Sequence, residues 1–134
     1  MGAVGVYSEK LPCGGTLEVT AQGFRIHYYF PGPDMRHNGT LVDVPGAEVE
    51  AYMNAFAENW REFQQLKASI PVGGQFQRAG RKGMQIRIGP FREGVCLEMY
   101  HMPIRTEAEL QSVIGSYRYA LQRAAQAQAL LQRL

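Results

Sequence analysis

Cysteine, histidine and long apolar runs are all scarce in this chain, and each scarcity removes a class of function. The two cysteines, Cys13 and Cys96, form no C-x-x-C or ligand-spaced cluster, which favours a reduced, cytoplasmic setting over a disulfide framework. His27, His37 and His101 lie far apart with no H-x-x-x-H or H-E-x-x-H spacing, so no metal or other cofactor is expected. No glycine-rich phosphate fingerprint occurs, and nothing supplies a nucleophile elbow to either cysteine. Asp34 and His37 share a loop where acid–base work is conceivable, but both are ordinary loop residues. The chain therefore reads as non-enzymatic. Its opening residues lack a basic segment followed by an apolar one, and no run reaches membrane-spanning length.

What is present is an uneven charge. Residues 1–68 hold five Lys/Arg and eight Asp/Glu, net −3, whereas residues 69–134 hold nine and four, net +5. Between Gln75 and Arg92 stand Arg78, Arg81, Lys82, Arg87 and Arg92 with no acid. Such a stretch suits contact with a polyanion, or equally protects strand edges and hairpin tips from unwanted pairing.

The periodicities predict an α+β domain spanning residues 1–134. Thr16 to Ala21 and Phe24 to Phe30 alternate about Gln22-Gly23, with Leu17, Val19, Ile26 and Tyr28 inward and Arg25, His27 and Tyr29 outward. Residues 31–39 are rich in breakers, and a short strand over Thr40 to Val44 follows. Val49, Tyr52, Met53, Phe56, Trp60, Phe63 and Leu66 then mark a helix, whose most economical cover is the sheet before it. Further strands are expected over Gln75 to Arg78, Met84 to Ile88 and Val95 to Met102. Thr106 and Glu109 form a capping box for a second helix, whose end would leave Leu130, Leu131 and Leu134 bare enough to invite a second copy.

The two halves, about 1–70 and 71–134, repeat one pattern of antiparallel strands followed by a helix. Gly15 to Thr20 corresponds to Gly83 to Ile88, and Gly23 to Phe30 to Gly94 to His101. Helices lying on one sheet face would leave the other face open. Strands then a helix, twice over, resembles the Pur-alpha and Whirly class of single-stranded nucleic-acid binders. Val6 to Leu11 is similar to the start of bacterial Pur-type proteins, and Glu48 to Leu66 resembles the helix of a Pur repeat. The resemblance implies a curved sheet whose open face and hairpin loops hold single-stranded DNA or RNA, often in a homodimer.

Arg25, Tyr29, Arg78, Arg81, Lys82, Arg87, Arg92 and Tyr100 are the residues expected to touch such a strand, cations on phosphates and rings under bases. The alternative is a small adaptor, inhibitor or immunity-type protein whose arginines meet an acidic protein partner.

Overall fold

Where the sequence alternates, the backbone pairs. The computed structural model describes residues 5–30, 40–89, 95–99 and 102–134. Each half of the chain supplies four antiparallel strands in sequential order and then one helix. The first sheet comprises β1 (Tyr7–Lys10), β2 (Thr16–Thr20), β3 (Gly23–Phe30) and β4 (Thr40–Pro45), followed by α1 (Val49–Ser69). The second comprises β5 (Phe76–Ala79), β6 (Gln85–Ile88), β7 (Cys96–Met99) and β8 (Met102–Ile104), followed by α2 (Glu107–Gln132). The stretch expected as one strand from Val95 to Met102 carries β7 and the first residue of β8; Tyr100 and His101 lie outside the described residues, as does the loop 31–39. The α+β class and the repeated order of elements hold, with each repeat making a sheet of its own.

The chain forms two compact units that exchange helices. One consists of Met1–Val49 with Gly115–Leu134, the other of Glu50–Ile114. The helix stripe of α1, expected over the strands that precede it, therefore belongs with β5–β8, and most of α2 belongs with β1–β4. An amphipathic stripe specifies only that it must be covered, and either sheet satisfies that demand.

In the first unit, β2 pairs with β3 through Leu17↔Ile26 and Val19↔Phe24, and β3 with β4 through Ile26↔Val44. Leu17, Val19, Ile26, Tyr28 and Val44 are buried on that side. Tyr117, Ala120, Ala124 and Ala127 of α2 are buried too, at alternating spacings of three and four that make one helical stripe. The Tyr28 and Tyr117 hydroxyls meet at 2.7 Å, and the Cys13 thiol stands 3.6 Å from Tyr28. Burial is the main reason the Tyr28 phenol is pushed far above its ordinary pKa, so it stays neutral. Gln128, a polar interruption in the stripe, donates through Nε2 to the Ala21 carbonyl at 3.1 Å, and Gln132 does the same. At the edge strand, Tyr7 and Tyr119 donate to the Glu9 carboxylate, and Arg123 Nε lies 3.3 Å from it.

In the second unit, Met84, Ile86, Ile88, Leu97, Met99 and Ile104 are buried, as are Tyr52, Phe56, Trp60 and Phe63 of α1. The expected cap of α2 is present: the Glu109 amide donates to Thr106 Oγ1 at 3.1 Å.

Burial of the α2 stripe makes side-chain volume there critical. Ala124 is 1% exposed whereas its neighbour Ala125 is exposed. Ala124→Leu will lower the unfolding free energy by about 1–3 kcal/mol. Ala125→Leu will change it by less than about 0.5 kcal/mol, both read from urea denaturation midpoints.

Candidate nucleic-acid interface

Because side chains alternate along a strand, the side of β1–β4 away from α2 is polar. It carries Ser8 and Lys10 of β1, Thr16 and Glu18 of β2, Arg25, His27 and Tyr29 of β3, and Asp43 of β4. Tyr29 is 63% exposed. Arg25 bridges its neighbours, with Nη2 at 3.2 Å from Glu18 and Nη1 at 2.9 Å from Asp43. His27 Nε2 stands 3.8 Å from the other Glu18 oxygen. A shallow hollow of about 180 Å³ opens beside this ladder, lined by Glu18, Thr20, Gly23, Phe24 and Arg25. Arg25 is thus matched by two carboxylates rather than standing in a basic field.

The second unit places its arginines differently from the sequence expectation. Arg78 is in register with Ile86, on the α1 side of the sheet, and its guanidinium is bonded to Glu62 of α1. Arg81 joins the same group, at 2.8 Å from Glu58 and 2.9 Å from Glu62. The hydrogen bond from Arg78 holds the Glu62 carboxyl below the ordinary carboxylate range, with help from Arg81. These two cations tie a strand and a turn to a helix.

The polar face of β5–β8 carries Gln85 and Arg87 opposite Glu98 and Cys96. It was expected to be open, yet Cys96 is fully buried and Glu98 is 8% exposed. Arg87 Nη2 lies 3.4 Å from Glu98 Oε1, which compensates a carboxylate that is costly to bury alone. Arg92 and Tyr100 lie outside the described residues.

Lys82 stands in an exposed turn, Gly80 to Gly83, with a left-handed backbone (φ 57°, ψ 35°). Buried Asn59 of α1 fixes that turn. Its amide oxygen accepts from Arg81 N at 3.0 Å, and its Nδ2 donates to the Arg81 carbonyl and to Met84 Sδ, both at 3.1 Å. A Cβ on Gly80 would sit 2.8 Å from Asn59 Oδ1, so glycine is required there. The Lys82 ammonium lies 5.3 Å from the Tyr52 ring centroid. Sequence reasoning missed Asn59 although a signal existed: it falls three residues after Phe56 and four before Phe63, inside the apolar stripe.

No protein-family model matches the chain, and neither curated proteins nor solved structures gave a match. Function must therefore be argued from these side chains. Among the described residues no group of His, Cys, Asp or Glu is placed to hold a metal ion, and no helix is long and apolar enough to cross a membrane.

Two outcomes follow. Asn59→Ala will empty a buried site and leave the part-buried Arg81 amide without its acceptor, lowering stability by about 2–4 kcal/mol. Lys82→Gly will change stability by less than about 1 kcal/mol, because relief of the left-handed strain offsets the lost cation–π contact; thermal and urea unfolding test both. Acid titration gives a third. Glu9, held low chiefly by the Tyr119 hydrogen bond and then by Tyr7, and Glu62 both have depressed folded pKa values. Their stabilisation is present above the unfolded carboxylate pKa of about 4.3 and is lost as pH falls through the lower folded values. Glu9→Gln with Glu62→Gln will flatten that acid limb of the stability curve.

Proposed function

We propose that the chain binds single-stranded DNA or RNA on the polar face of β1–β4. The observation that carries this reading is the exposure of Tyr29 on the side of the sheet away from α2, on the same strand and side as His27 and Arg25. Residues two apart on a strand are spaced roughly 6.6 Å. A ring, an imidazole and a guanidinium in such a row offer successive surfaces for base stacking and phosphate contact. Stacking on Tyr29 would supply about 1–3 kcal/mol.

The carboxylates around Arg25 set the strength. A phosphate must compete with Glu18 and Asp43 for that guanidinium, so few counterions are released on binding and the salt dependence is shallow. The reading is of weak, stacking-led binding.

Fluorescence anisotropy with a labelled oligothymidylate of about 12 nucleotides, at about 20 and about 200 mM salt, tests this. Tyr29→Ala will weaken binding about tenfold or more without changing stability. Glu18→Gln with Asp43→Asn will release Arg25, tighten binding and steepen its salt dependence. Absence of binding at low salt, or an unchanged affinity in Tyr29→Ala, would overturn the reading.

A further inference from the structure

His27 stands in the middle of the polar face of β1–β4, and its neighbours leave that face short of positive charge. Glu18 of β2 is shared: one oxygen lies 3.2 Å from Arg25 Nη2 and the other 3.8 Å from His27 Nε2. Asp43 of β4 is directly opposite His27 in the ladder, where same-face Cβ atoms stand about 5 Å apart, and it also holds Arg25 Nη1 at 2.9 Å. With the imidazole neutral, one guanidinium therefore answers two carboxylates. Of the remaining described residues of the four strands, those with charged or titratable groups on this side are Tyr29, two along β3, and Lys10 of β1. Lys10 lies beyond Thr16 in the same row, about 10 Å from His27.

We propose, building on the nucleic-acid reading above, that binding of a single strand on this face is coupled to protonation of His27, so that affinity rises as pH falls below neutrality. Histidine is the side chain whose charge ordinarily changes between about pH 5 and 8. A phosphate approaching Arg25 meets Glu18 and Asp43 at once, because both touch the guanidinium and salt does not screen charges so close together. A proton on His27 turns its approach to Glu18 into an ion pair and offsets the carboxylate left in excess, which removes the repulsion. The His27 side chain is 23% exposed, open enough to exchange its proton with solvent and to be reached by a backbone phosphate. By linkage the bound strand favours the protonated ring in turn, so binding takes up protons from solution.

Protonation of Glu18 or Asp43 would also tighten binding in acid, but it would do so whatever side chain replaced His27. Substitution of His27 therefore separates the two causes.

The test is fluorescence anisotropy with a labelled oligothymidylate of about 12 nucleotides at about pH 5.5, 6.5 and 7.5. Neither thymine nor the phosphodiester takes up a proton in this range, so the titrating group belongs to the protein. Wild type will bind about threefold or more tightly at the lowest pH than at the highest. Its slope of log affinity against log salt will be steeper there by up to about 0.7, the release of one further counterion. His27→Asn will bind equally at all three pH values. His27→Lys carries the charge permanently and will bind at the highest pH about as tightly as wild type does at the lowest. Circular dichroism at each pH confirms that both variants are folded. Calorimetry in two buffers of different ionisation enthalpy will register proton uptake on binding by wild type and none by His27→Asn. A pH effect that survives in His27→Asn, or wild-type binding indifferent to pH, overturns the proposal and leaves nucleic-acid binding standing. Absence of binding at every pH overturns both.

Discussion

An antiparallel sheet with one apolar face cannot stand in water until that face is covered, and here each sheet is covered by the helix of the other repeat. The first sheet depends on α2, the last element of the chain, and the second on α1, which precedes its first strand. Burial of Leu17, Val19, Ile26 and Val44 is thus a long-range contact that cannot form until nearly the whole chain is present. α2 meets this role with its buried stripe of Tyr117, Ala120, Ala124 and Ala127, and the Tyr117 hydroxyl reaches that of Tyr28.

The same demand for cover decides what the charged residues are free to do. The net charge of +5 in residues 69–134 suggests a basic surface, yet Arg78, Arg81, Arg87 and Arg123 each stand against a carboxylate. The exposed pairs among these, those of Arg78, Arg81 and Arg123, contribute at most about 1 kcal/mol apiece, so their consequence is mainly electrostatic: they cancel local fields. The proposed recognition therefore rests on the exposed ring of Tyr29.

Much of this organisation is legible in the sequence. Alternation at Thr16 to Phe30 gives the hairpin and its register, the stripe from Val49 to Leu66 gives α1, and Thr106 with Glu109 gives the start of α2. What is not legible is which sheet each stripe covers, since hydrophobic periodicity carries no address. Nor does period two reveal that both sides of β7 are buried, because Cys96 and Glu98 sit at polar-phase positions that an isolated sheet would expose. The ion pairs of the arginines are not legible for a related reason: Arg78 and Glu62 are 16 residues apart, and no local pattern announces such a pair. Asn59 and Gln128 were readable as polar breaks in apolar stripes, and each proves to bind a backbone carbonyl on another element.

The exchange of helices is tested most directly by a double-mutant cycle on Tyr28→Phe and Tyr117→Phe, measured by urea denaturation. If α2 lies on the first sheet with these hydroxyls 2.7 Å apart, the two losses will be coupled by about 1 kcal/mol. Strict additivity, with each change costing the same in the presence or absence of the other, would contradict the account.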